Sequence, residues 1–383
     1  MERLIRGCFY GSVFGDVCGA PFEFGSGIPL SRILDFFKGR ITGEKNDTLR
    51  YTDDTEMALC VCDSLKRVNG FDAIDMARTF SNAFDASPSC RLYGRSIGPL
   101  FGRMKSSDFA DPFKNSSQQF NGSGSYGNGG GMRITPIPLY GLELDTEDFN
   151  TLVCQVTALT HTNPLALFGA LLQAHAIRRV LAVASASSDS APCAIDAASL
   201  VDALRGDLEM ADLSAFAFGR SLNFHLSALQ QYREKLNTVK QFVMQESFPQ
   251  ISEIVDRLGN GEPAIQAIPT ALYVFLQCLK PMPHIPYESL LIKCSIYSTM
   301  IGNDTDTIGC MACAIAGALV GAERIENSSS LGDLHIPGTA TGSFNASKAL
   351  DTAAENAPSY QLKPQSINIW DRLPESNVSG PSP

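Results

Sequence analysis

The sequence predicts an all-α fold on three observations. Apolar residues recur at helical spacing along most of the chain, strand-like alternation is almost absent, and several helix starts carry capping residues. The 383 residues are 44% hydrophobic and 18% charged, which suits a globular chain with a substantial core. We place one large helical domain at residues 1–327. From 328 to 383 the composition shifts to Ser, Gly, Ala, Asn and Pro, and this stretch reads as a low-complexity, disordered tail.

Residues 4–20 form the first predicted helix, with Leu4, Cys8, Val13 and Val17 on its apolar positions and glycines at 7, 11, 15 and 19. Each glycine costs roughly 1 kcal/mol of helix propensity against alanine. The repeat therefore predicts the close backbone approach of a neighbouring helix. Asp16 in this run reads as a group that backs a site's ligands or caps a helix, or equally as a solvated acid. Glu23 then opens a glycine-rich loop with Gly25, Gly27, Gly39 and Gly43 around one short helix at 30–37. Helices are expected at 53–68 and 72–86, followed by a looser connection from Tyr93 to about Phe120.

Residues 121–131, NGSGSYGNGGG, contain a literal G-x-G-x-x-G. A dinucleotide fold is excluded, because no strand precedes the glycines and Pro136 and Pro138 forbid the long helix that should follow. The Lys of a phosphate-binding P-loop is missing too. What remains is a loop whose backbone can approach a ligand and offer N–H groups to an anion. Tyr126 could stack on a ring. The plainer reading is a flexible linker, against which Ser125, Tyr126, Asn128, Met132 and Arg133 count.

From 151 the chain reads as helix after helix. One spans 151–161. Asn163 and Pro164 form an N-cap and first-turn pair for the next, 164–184. His161 between them reads as a cap or as a group that touches substrate. After an Ala/Ser-rich loop at 185–195, helices are expected at 197–206, 211–218, 222–246 and 251–257. Pro269 should open another that ends at 279, and 288–300 leads to the last, 306–321.

Net charge is −10 and no Lys/Arg-rich run exists, which argues against direct nucleic-acid binding through phosphates. Eleven scattered cysteines give no disulfide framework, and Cys310 and Cys313 read as buried small hydrophobes rather than a zinc or redox pair. A reduced intracellular setting is expected. No 18-residue apolar run suggests a membrane span, and Asp16 and Glu23 interrupt the N-terminus where a signal peptide would be apolar.

Two acidic stretches share one grammar: Thr52-Asp53-Asp54-Thr55 and Asp304-Thr305-Asp306-Thr307, about 250 residues apart. Each opens an apolar helical run, so two ordinary helix starts are the simpler reading. A cap needs only one side-chain oxygen, however, and clustered carboxylates repel unless a cation lies between them. With no His or Cys present, the donors suit Mg²⁺ or Mn²⁺ rather than zinc. Face to face, the two stretches could hold two metals about 3.5–4 Å apart. The residues alone leave both readings open.

Taken in order, these pieces resemble the ADP-ribosylglycohydrolase family over about residues 3–322. The features are Gly15-Asp16-x-x-Gly19 with Glu23, Tyr51 to Thr55, the glycine loop, Leu159-Thr160-His161, Ile268 to Tyr273, and Asp304 to Thr307. The resemblance implies an orthogonal helical domain with a binuclear metal cleft. It implies Thr52, Asp53, Asp54, Asp304, Asp306 and Thr307 as ligands of two Mg²⁺, or of Mn²⁺. Glu23 would be a mobile catalytic glutamate, with Asp304 as a second catalytic group. Ser125, Tyr126, Gly127 and Asn128 would hold the diphosphate and ribose, and Gly94, Phe120 and His161 would line the cleft. The loop wording resembles the serine-specific branch rather than the arginine-specific one. The implied substrates are ADP-ribose on protein serines, poly(ADP-ribose) and O-acetyl-ADP-ribose. The alternatives are arginine-specific hydrolysis and a non-catalytic ADP-ribose binder. A monomer in cytoplasm and nucleus is expected; mitochondria would also suit the family, although no transit peptide is visible. Asn303 departs from the family, which usually has glycine before the first Asp.

Overall fold

Helix α1 (Glu2–Gly19) is buried along nearly its whole length, and its partner is the last described helix, α16 (Thr305–Val320). The glycine repeat makes the pairing possible. A Cβ on Gly11 would lie 2.1 Å from the carbonyl oxygen of Cys313, and one on Gly15 would lie 2.1 Å from that of Gly309. From the other side, a Cβ on Gly317 would lie 1.9 Å from the Gly7 carbonyl oxygen. Main chain therefore touches main chain, which side chains would prevent. Gly7 meets Gly321 while Gly19 meets Thr305, so the helices run antiparallel. The end of α1, with Asp16 and then Glu23, is thereby carried to the start of α16, with Asp304 and Asp306.

The computed structural model describes residues 1–41, 49–87, 91–186 and 194–322. The expected tail at 328–383 lies outside them, as do Gly43 and most of the expected loop at 185–195. The other helices are α2 (Leu30–Ile41), α3 (Asp53–Val68), α4 (Ala73–Ala86), α5 (Ile97–Ser106), α6 (Pro112–Ser117), α7 (Gly129–Met132) and α8 (Pro136–Tyr140). They continue with α9 (Thr146–Ala158), α10 (Pro164–Ala186), α11 (Ala197–Met210), α12 (Leu222–Met244), α13 (Ile251–Arg257), α14 (Ala264–Cys278) and α15 (Leu290–Ile301). Helices α10, α14 and α15 pack around the α1–α16 pair. α3 and α4 cover one side, and α11 and α12 pack on α10. Helix α10 is long and apolar enough to cross a membrane by length and composition, yet most of its apolar stretch is buried in the domain.

Among the described residues the fold is helical without strands, as expected. Several boundaries need correction. The stretch expected as a loose connection to Phe120 contains α5 and α6. Gly98, Pro99 and Gly102 mask the helical signal of α5, and α6 opens on an Asp111 cap and Pro112. Helix α9 starts five residues earlier than read, because Asp145 caps it through the Asp148 N–H at 2.9 Å. Residues 211–218 form only a single 3₁₀ turn at Ser214–Phe216. Pro269 sits inside α14, which opens at Ala264 behind Pro263. Cys310 and Cys313 are buried thiols within α16, as read.

Candidate active site

Both acid-led helices, α3 and α16, begin at one cleft of about 930 Å³. Their N-termini bring the positive ends of two helix dipoles to the carboxylates there. Asp16, Asp54 and Asp306 each bring an oxygen within 4.8 Å of the others. Asp53, Asp304 and Thr307 line the same cleft. Thr52 does not line it and lies buried beneath. Its hydroxyl is 2.9 Å from Asp54 Oδ2 and 3.0 Å from Asp16 Oδ1.

Asp16 is the anchor that the sequence reading left open. It is fully buried, and its carboxylate accepts from the backbone N–H groups of Thr52 and Thr55, each at 3.1 Å, and from the Thr55 hydroxyl at 2.5 Å. It therefore ties α1 to the first turn of α3. Asp304, by contrast, makes no side-chain cap for its own helix. Its Oδ2 accepts from Asn128 Nδ2 at 2.6 Å, which links the second acidic stretch to the glycine loop.

The electrostatics are those of buried acids crowded together. Burial, and then the neighbouring carboxylates, push Asp53, Asp54 and Asp306 well above the usual carboxylate range. Burial raises Asp16 and Asp304 to about 6, against hydrogen bonds that favour their charged forms. Among the described residues no ion pair reaches Asp16, Asp54, Asp304 or Asp306. Asp54 Oδ1 and Asp306 Oδ1 are buried with no hydrogen-bond partner. Orphaned carboxylate oxygens facing one another are what a hard divalent cation would satisfy. The residues fit a metal.

Glu23 ends the turn after α1 and lines the cleft, half-buried, with Oε2 lacking a partner. Burial, and then Asp304, Glu262 and Asp16, raise it to about 7. The root of its loop is pinned. Phe24 N–H donates to the Asn303 carbonyl, and Asn303 N–H to that of Gly25, both at 2.7 Å. Asn303 adopts φ 63°, the left-handed region that glycine favours and asparagine tolerates better than most residues. The departure from the family is thus accommodated in place.

The glycine loop is no free linker. Gly127 bridges Pro263; Ala264 N–H donates to the Tyr126 carbonyl at 2.9 Å, and Asn128 N–H to that of Glu262 at 2.8 Å. The two isolated β-bridges of the described residues thus both flank this cleft. Gly127 has no positive φ; its lack of a side chain serves close approach, since a Cβ would lie 3.2 Å from His161 Nε2. Phe120 and Tyr126, both exposed, hold their rings 5.6 Å apart at the rim. Gly94, Ser125, Asn128 and His161 line the cleft as well.

The structure thus gathers every site residue read from the sequence into one cleft, with Thr52 just below its surface. To the lining it adds Glu262 and the exposed Phe24 and Leu92, and beneath the lining it sets Asp16 against Asp54 and Asp306. Asp16 had a signal, an acid inside a glycine-spaced apolar helix. The other three had none.

A family model described as ADP-ribosylglycohydrolase matches residues 1–352, past the domain end expected at 327. The chain belongs to the ADP-ribosylglycohydrolase family. It is accordingly a hydrolase acting on ADP-ribose glycosidic bonds. It is 36% identical over 332 residues to the "ADP-ribosylhydrolase ARH3" of Gallus gallus, covering 84% of this chain and 86% of that one. The Homo sapiens ARH3 is 34% identical over 333 residues, covering 84% and 87%. "Uncharacterized protein YegU" of Escherichia coli (strain K12) is 26% identical, covering 85% and 90%. A solved structure, "ADP-ribosylglycohydrolase-related protein complex", has TM-score 0.57 at 22% identity, covering 87% of this chain and 93% of that one, and bears on the fold alone.

Proposed function

We propose that this ADP-ribosylglycohydrolase releases ADP-ribose from protein serines by hydrolysing the O-glycosidic bond at C1″, with poly(ADP-ribose) and O-acetyl-ADP-ribose as further substrates. The observation that carries the reading is Glu23: a carboxyl with an orphan oxygen and raised proton affinity, facing a nest of carboxylates across one cleft. The ARH3 relatives support an ADP-ribosylhydrolase, and the Ser125 to Asn128 wording of the loop, which resembles the serine-specific branch, favours serine over arginine linkage.

Two Mg²⁺ ions held by Asp53, Asp54, Asp304 and Asp306, with the hydroxyls of Thr52 and Thr307 and with Asp16 beneath, would orient the ribose hydroxyls and acidify a water. The chain's own groups do the rest. The loop N–H groups of Ser125 to Gly127 and the His161 ring receive the diphosphate, while the Asn128 N–H stays on the Glu262 carbonyl and its side chain on Asp304. Phe120 and Tyr126 supply ring faces for the adenine. Burial, and then the neighbouring carboxylates, raise Glu23 to about 7 in the metal-free chain, and the burial that holds it up favours a protonated carboxyl. It gives that proton to the serine oxygen as the C1″–O bond breaks. Asp304, held by Asn128, takes a proton from the water whose oxygen joins C1″. The complete carboxylate set argues against a non-catalytic binder.

The test is ADP-ribose release from serine-linked and arginine-linked peptides, each with Mg²⁺, with Mn²⁺ and with chelator. Release from the serine peptide only, abolished by chelator, is expected. Release from the arginine peptide alone would overturn the linkage, and metal-independent release would overturn the cofactor.

A further inference from the structure

Thr160 and Arg133 do not line the cleft. We infer that together they fix His161 as the tautomer that carries its proton on Nε2, so that the ring offers one N–H donor to an anionic oxygen of the ligand beside the glycine loop. The nature of that ligand rests on the ADP-ribose reading above.

The argument begins with Arg133, which is fully buried. A guanidinium donates and never accepts. Its Nη1 donates to the Gly129 carbonyl at 2.7 Å, and its Nη2 to the carbonyl of Val156 at 3.0 Å and to Thr160 Oγ at 2.8 Å. Thr160 is also fully buried, so its single hydroxyl proton needs an acceptor inside the protein. His161 Nδ1 lies 2.7 Å from that oxygen. The oxygen accepts from Arg133 on a lone pair and donates its own O–H to Nδ1. The reverse polarity, with Nδ1 donating, would bury the hydroxyl proton without an acceptor, at the full desolvation cost of that group.

A neutral imidazole that accepts at Nδ1 must carry its proton at Nε2. The ring stays neutral because burial, and then the Arg133 charge, push His161 down to about 3. Its Nε2 has no hydrogen bond among the described residues and faces the loop, where a Cβ on Gly127 would lie at 3.2 Å and one on Gly129 at 3.0 Å. In a cleft crowded with carboxylates, an N–H donor that carries no net charge suits a diphosphate oxygen. It adds a donor to the loop without forming an ion pair with the acids that a metal needs. The chain Arg133, Thr160, His161 thus makes Thr160 and Arg133 positioning residues.

The test uses Thr160→Val, which keeps the shape and removes the hydroxyl, and Thr160→Ser, which restores it. Histidine ¹⁵N–¹H correlation spectra of the full chain at neutral pH read the tautomer, with His161→Gln assigning the signal. The parent and T160S should show His161 protonated at Nε2, and T160V should lose that preference. Titration with free ADP-ribose in Mg²⁺ should show T160V binding on the order of tenfold or more weakly, and T160S close to the parent. A parent ring protonated at Nδ1, or a T160V protein with the parent's tautomer and affinity, would overturn the inference. Failure of the parent to bind ADP-ribose would overturn the ligand reading instead, while the spectra judge the relay independently.

Discussion

At the scale of single residues, the proposed acid and base, Glu23 and Asp304, differ in their surroundings. Glu23 has an oxygen with no partner, whereas Asp304 is held by Asn128 at 2.6 Å. The backbone joins them: Phe24 and Gly25 pair with Asn303, the residue before Asp304. Glu23→Gln keeps the shape and removes the titratable proton. Single-turnover release from a serine-linked peptide should fall on the order of 10²–10⁴-fold, while calorimetric ADP-ribose affinity stays near the parent's. Hydrolysis at the parent rate would shift the acid role to an Asp of the cluster. The residue types at this site were legible in the sequence, because clustered acids and a mixed glycine loop are unusual in a linker or a cap. The pairing across Asn303 was not, since it depends on a left-handed backbone that no side-chain pattern announces.

At the scale of elements, the α1–α16 contact decides whether the site exists. Gly11→Ala would place a methyl 2.1 Å from a main-chain carbonyl that cannot rotate away. A loss of about 1–3 kcal/mol or more is expected, read as a lower melting temperature with activity falling alongside. Gly102→Ala in α5 is the control, because nothing lies within 4 Å of its Cβ and alanine favours the helix by up to ~1 kcal/mol. A Gly11→Ala protein as stable as the parent would mean that the helices separate freely. The glycine spacing was enough to predict a close neighbour, but not which helix it would be, since the partner lies at the far end of the domain. Helix α5 was missed for a related reason. Its glycines and Pro99 weaken local propensity, and the burial of Ile97, Leu100, Phe101 and Met104 restores the helix only in the fold.

At the scale of the whole molecule, the gathered acids set the pH response. Asp16 and Asp304 are raised to about 6 and Glu23 to about 7, so between about pH 4 and 7 the metal-free folded chain binds more protons than the unfolded one. Stability from these groups is therefore present at low pH and lost as pH rises through their folded values. Differential scanning calorimetry of the chelated protein should show this contribution falling from pH 5 to pH 8. Added Mg²⁺ should raise the melting temperature more at pH 8 than at pH 5, and an equal gain at both would argue against metal binding by these carboxylates. The glycine contact also has a consequence in time. The Thr305 hydroxyl bonds the Gly19 carbonyl across 286 positions. At about 5–20 residues per second, a ribosome needs on the order of 15–60 s to make the chain between them. Throughout that interval the apolar faces of α1 wait without their partner, and no complete catalytic centre exists. A nascent chain would be dependent on holding chaperones until the last helix of the domain emerges, and a message truncated before α16 would yield an inert, aggregation-prone product rather than a partly active hydrolase.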